Sequence, residues 1–168
     1  RSINMEQKYI YSFSQIEDKV KALHETNTEA AAAVALSWLG LSRDELKTLR
    51  VSDYNSTMRM LHSAGRVVYV REDLIADMLK AICEEAPEYS MGFFITDVNS
   101  AYEAAEKQEL SPISVLKMRY FYEKHSAKLS GEPEDRVFLK EILRSVGESE
   151  ADMEKQFAEY EKDAPEKI

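Results

Sequence analysis

A single cysteine, Cys83, in a chain of 168 residues excludes an internal disulfide and fits a reducing cytoplasm. The three histidines, His24, His62 and His125, are scattered. They lack the clustered spacing of a metal site, so neither metal nor cofactor is expected. Long apolar runs are missing as well. The longest, Ala30 to Leu36, falls far short of the ~20 residues that cross a bilayer, and Arg1 to Tyr11 has no apolar signal-peptide core, so no membrane association is expected. Positive charge is scarce: 22 Lys and Arg stand against 31 Asp and Glu, a net charge of −9. That balance disfavours indiscriminate nucleic-acid binding, where a basic surface supplies most of the affinity. No repeat, low-complexity run or linker interrupts the chain, which reads as one domain.

The charge that is present is uneven. Lys117 to Ser130 carries +3, through Lys117, Arg119, Lys124 and Lys128 against Glu123, whereas Gly131 to Ile168 carries −6. A basic strip followed by an acidic tail says more than the sum.

Periodicity predicts a mostly helical domain. Ser14-Gln15-Ile16-Glu17 is a capping box that opens a first helix with Ile16, Val20 and Leu23 on one face. Asn27 or Thr28 starts EAAAAVALSWL, apolar nearly all round and therefore a central buried helix closed by Gly40. Ser42 and Glu45 form another capping box, for a short helix to about Leu49. Thr57 to Leu61 and Arg66 to Val70 then read as a β-hairpin turning through His62-Ser63-Ala64-Gly65. Helices follow over Arg71 to Glu85, with Leu74, Ile75, Met78, Leu79 and Ile82 inward, and over Asp97 to Gln108. Gly92 to Ile95 between them is a short strand or extended link. Ser111-Pro112 starts the next helix, reaching about Leu129 before Ser130-Gly131-Glu132-Pro133 breaks it. Asp135 to Val146 and Ser149 to about Lys162 are the last helices, split at Gly147. The class is α+β, mostly helical, with a small antiparallel sheet.

That order, with several motifs, resembles the catalytic domain of the tyrosine recombinases, the phage integrase family. Gly40, Leu41, Glu45, Leu46, Leu49 and Asp53 match "TGLR-x-x-E-L-x-x-L-x-W-x-D" in register. Arg66-Val67-Val68-Tyr69-Val70 resembles "R-x-V-P-L", and VLKMRYF, from Val115 to Phe121, resembles "H-x-L-R-H-T-F". Gly147 and Ser149 match "L-L-G-H-S", and Met153 to Tyr160 takes the place of the nucleophile helix. The resemblance covers nearly the whole chain, although the stretch between Arg119 and Glu148 is longer than usual. It implies a single integrase-like catalytic domain over 1–168, with the expectation that the separate DNA-binding domain usually preceding it is lacking. It also implies a link to mobile elements, DNA recombination and integration.

The family's reaction attacks a DNA phosphodiester with a tyrosine hydroxyl while two arginines hold the phosphate oxygens and a hairpin lysine protonates the leaving oxygen. Carried over, the first arginine falls on Ser42, with Arg43 one residue later. The hairpin lysine is absent from Thr57 to Val70, and Arg59 and Arg66 are poor general acids because an arginine pKa lies above ~12. The His of "H-x-x-R" falls on Leu116, its Arg on Arg119, the next His or Trp on Glu148, and the tyrosine on Phe157. The resemblance therefore implies a domain inactive in strand cleavage that keeps one expected catalytic residue. Its candidate DNA contacts are Arg43, Arg66, Lys117 and Arg119. Tyr160, three residues past Phe157 on roughly the same helix face, is the candidate for a shifted nucleophile in an active enzyme.

Plainer readings stand beside these. Ser42 serves as a helix cap, Phe157 as core, Arg119 as one half of an ordinary ion pair, and Lys117, Lys124 and Lys128 as a solvated face. Glu148 is then a solvated residue after Gly147, His62 an exposed turn histidine, and Cys83 a small buried hydrophobe. The acidic last helix over 149–162, with Met153, Phe157 and Tyr160 along one side, is a candidate for self-association, which would make the domain a protein-interaction or oligomerisation module.

Overall fold

The computed structural model describes residues 13–86, 92–125 and 138–163. Helix α2 (Thr28–Trp38) is its axis. Ala30 through Trp38 are all buried, as an all-round apolar helix requires, and the small alanines let α1 (Phe13–His24), α5 (Val98–Lys107) and α6 (Pro112–Lys124) pack against it. The Asn27 side chain caps α2 by accepting from Ala30 N at 3.0 Å, and Gly40, at φ 92°, follows its end. Phe13 and Ser14 are already helical, so Ser14 is not the cap of the first helix; Ile16, Val20 and Leu23 face inward as expected. Helix α3 (Arg43–Thr48) carries the predicted capping box at Ser42.

The sheet differs from the expectation in two ways. A short strand β1 (Tyr54–Asn55), entered through a 3-10 turn at Val51–Asp53, adds a third member to the hairpin, giving the order β1-β2-β3. The hairpin strands, β2 (Met60–Ser63) and β3 (Arg66–Tyr69), run closer to the turn than predicted. Only Ala64 and Gly65 make the turn, at φ 51° and 77°, the left-handed pair that suits a two-residue hairpin. His62 and Ser63 are thereby strand residues. Leu61 and Val68 pair across the strands on the buried face. The link at Gly92 to Ile95 forms an antiparallel bridge, Arg50 with Phe93, and buries Phe94 and Ile95 in the core.

Helix α4 (Asp73–Glu85) starts two residues later than predicted and turns Ile75, Met78 and Leu79 inward. Ser111 caps α6, with Pro112 at the first turn. Helices α7 (Phe138–Val146) and α8 (Glu150–Asp163) close the chain and are separated at Gly147, φ 72°. The predicted loop at 87–90, the reach of α6 beyond His125, Lys128, the break at 130–133 and the helix start at Asp135 lie outside the described residues. No described helix is long and apolar enough to cross a membrane.

Candidate functional site

Ser42 starts α3 and is 3% exposed. Its hydroxyl accepts from Glu45 N at 3.2 Å, and its own N–H donates to Glu45 Oε1 at 3.0 Å. Glu45 does more than complete the cap. Arg66, on β3, donates to Oε1 at 3.0 Å, and the Ser63 hydroxyl, on β2, donates to Oε2 at 2.8 Å. The Arg66 guanidinium also reaches Gly40 O at 3.2 Å and lies 4.0 Å over the Phe138 ring. Ser42 and Arg66 thus meet through one buried carboxylate that ties α3 to the hairpin. An open cavity of about 230 Å³ lies beside them, lined by Thr48, Leu49, Asp53, His62, Ser63, Ala64 and Gly65. Arg43 is exposed, donates to Asn99 at 2.9 Å and lies 4.6 Å over the Tyr102 ring.

Along α6 the candidate residues diverge by face. Leu116 is fully buried. Arg119 is 4% exposed; it pairs with Glu123 at 3.0 Å and lies 5.4 Å over Trp38. Lys117 points elsewhere, to Glu148 and Gln156, both at 3.2 Å, and Gln156 also donates to Glu148 at 3.1 Å. Lys124 donates to Glu150 and stands 3.9 Å from Glu154. His125, at the end of α6, is 3.1 Å from a Glu154 carboxylate oxygen and stacks flat on Phe157, centroids 3.7 Å apart. The hydrogen bond with Glu150 holds the Lys124 ammonium above the ordinary lysine range and the Glu150 carboxyl below the ordinary glutamate range.

The large apolar residues of α8 face inward. Phe157 is 3% exposed and Tyr160 1%. Both pack on Phe121, with centroids 5.3 and 5.6 Å away. Burial first, and then its neighbour Tyr160 through charge and a hydrogen bond, hold the Tyr122 hydroxyl above the ordinary tyrosine range. The structure therefore brings together Ser42 with Arg66 and Lys117 with Glu148, and sets Phe157 and Tyr160 in the core. Arg119 lies instead against Trp38 and Glu123.

Sequence reasoning missed Glu45 as the hub, Ser63 as its partner, and the joining of α6 to the acidic tail. The local signals for the pairings described were the capping-box spacing of Ser42 and Glu45 and the i,i+4 spacing of Arg119 and Glu123. Among the described residues, no cluster of three or more His, Cys, Asp or Glu could hold a metal.

No protein-family model matches the sequence, and no curated protein matches it. Among solved structures, the chain is similar to one titled "Crystal structure of XerA recombinase", with a TM-score of 0.55 and 13% identity over 97% of this chain and 67% of that one. The chain has a recombinase-like fold, mostly helical with a small antiparallel sheet, in agreement with the resemblance to the tyrosine recombinases.

Proposed function

We propose that this chain is a non-cleaving recombinase-like domain that binds duplex DNA in DNA recombination or integration and cuts no strand. The observation that carries this reading is Phe157. At the position where the resemblance puts the attacking tyrosine stands a phenyl ring without a hydroxyl, 3% exposed and stacked on His125. Glu148 adds to it: a carboxylate repels a phosphate, and this one already holds Lys117. The alternative nucleophile, Tyr160, is 1% exposed, so an active enzyme would need α8 to turn out of the core. The DNA half of the proposal rests on the scaffold and on Arg43, whose side chain reaches solvent. The test is electrophoresis of labelled duplex with the protein at low salt. A retarded band on a native gel that returns wholly to free DNA on a denaturing gel is expected. A band that survives denaturation would overturn the non-cleaving half, and no retardation at any protein concentration would overturn the binding half.

A second reading, a protein-interaction or oligomerisation module on the same scaffold, is favoured by a different face. Met58 is 62% exposed and Tyr69 54%, both by the hairpin. The apolar side of α8, the candidate for self-association, packs within its own chain at Met153, Phe157 and Tyr160. Sedimentation as a monomer at every concentration would remove the self-association form of this reading.

A further inference from the structure

Between α6 and residues 148–156, cationic or imidazole side chains of α6 or its end repeatedly meet carboxylates from the tail, beside the one contact of Lys117 with the Gln156 amide oxygen already described. Lys117 meets Glu148, Lys124 meets Glu150 and Glu154, and His125 meets Glu154. Lys117 and Lys124 are seven positions apart, which puts them on one side of α6, ~10.5 Å apart along the axis. The stripe therefore has the charge of a phosphate-backbone contact, and the tail already fills it. Both lysines keep about a quarter of their side-chain surface in solvent, 26% and 27%, so a competing anion can approach them.

We propose that residues 148–154 are a built-in polyanion mimic, in which Glu148, Glu150 and Glu154 occupy the cationic stripe of α6 in cis and a phosphate backbone competes with them for Lys117 and Lys124. This rests on the DNA-binding reading above and adds its regulation. The apolar side of α8 holds the helix in place, so the carboxylates are displaced from the lysines without the helix leaving. The device keeps resting affinity for nucleic acid low in a chain of net charge −9.

The experiment compares three proteins: wild type, the triple variant Glu148→Gln/Glu150→Gln/Glu154→Gln, and a control that neutralises three exposed acids elsewhere, Asp18→Asn/Glu25→Gln/Glu103→Gln. Both variants lose the same three negative charges, so their difference reports position and not net charge. Each is titrated by fluorescence anisotropy against labelled duplex DNA and, separately, against labelled inorganic polyphosphate over a salt series. The tail variant is expected to bind about tenfold more tightly than the control, with a slope of log K against log salt steeper by about 2, for two released lysines. A gain for polyphosphate without a gain for duplex supports the mimic and overturns DNA as its competitor. Equal binding of all three proteins to both probes overturns the mimic; if the shared duplex binding is measurable, the DNA-binding reading stands without it, and if it is absent that reading falls too. The single variant Glu148→Gln, read the same way at Lys117 alone, decides the matter if the triple variant does not fold.

Discussion

Two ion clusters in this molecule have similar members and opposite settings. At α3 and the hairpin, Glu45 is 7% exposed and meets a serine amide, a serine hydroxyl and the largely buried Arg66. At α6 and the tail, Glu148, Glu150 and Glu154 meet Lys117, Lys124 and His125 with side-chain exposures from 19% to 64%. A buried pair that loses one partner strands a charge away from water, whereas an exposed pair that loses one partner passes the other to solvent. The first cluster is architecture. The second is a surface contact that another anion can replace, and the helix bearing it is held by its apolar side.

That contrast breaks most visibly at Glu45. Glu45→Ala is expected to cost about 3–5 kcal/mol in urea unfolding, because it strands the Arg66 guanidinium and frees the hairpin from α3. Pairing Glu45→Gln with Arg66→Met should recover much of that loss; no recovery would mean that the cluster is not a coupled unit. Phe157→Ala should cost a similar ~3–5 kcal/mol, the value for an aromatic removed from a core, and would show that the tail is held by this ring. Ser42→Ala removes one cap bond and should cost about 1 kcal/mol. Glu148→Gln, at the exposed cluster, should cost less than about 1 kcal/mol and lose even that in high salt.

The smallest effect is the pH dependence of the Lys124–Glu150 pair. The Glu150 carboxyl titrates below its ordinary range, so its contribution is complete above the ordinary glutamate pKa of ~4.3 and fades as pH falls through the lower folded value. The Lys124 ammonium titrates above its ordinary range, so its contribution is complete below ~10.4 and fades as pH rises through the higher folded value. Melting temperature should therefore lose its dependence on Glu150→Gln at the acid end and keep it near neutrality.

Helix α2 was legible because alanine and leucine on every side leave a helix nowhere to go but inside, and α3 because a capping box is a local signal. The hairpin was legible as a pair of strands but not in register. Its turn takes only Ala64-Gly65, and the left-handed backbone at Ala64 is one that few residues other than glycine announce. Strand β1 is two residues long and exists only through its pairing with β2, so no periodicity marks it. The site was legible as a set of positions and not as a set of partners. Lys117 and Glu148 are 31 residues apart and Glu45 and Arg66 are 21 apart, distances over which charge complementarity cannot be paired without the fold. Arg119 shows the same limit on a short scale: the sequence offered both a phosphate contact and an ordinary ion pair, and the fold pairs it with Glu123, one turn later.

The central claim, a recombinase-like scaffold without strand-cleaving chemistry, is tested most directly by intact-protein mass spectrometry after incubation with a nicked duplex that would trap a phosphotyrosyl intermediate. An unchanged mass for the wild type, and also for Phe157→Tyr, is expected, because the resemblance implies a hairpin lysine where Thr57 to Val70 has none and an arginine where Ser42 stands, so that a new hydroxyl would lack those partners. A wild-type mass increased by one covalently attached DNA fragment, and abolished by Tyr160→Phe, would contradict the claim and make Tyr160 the nucleophile.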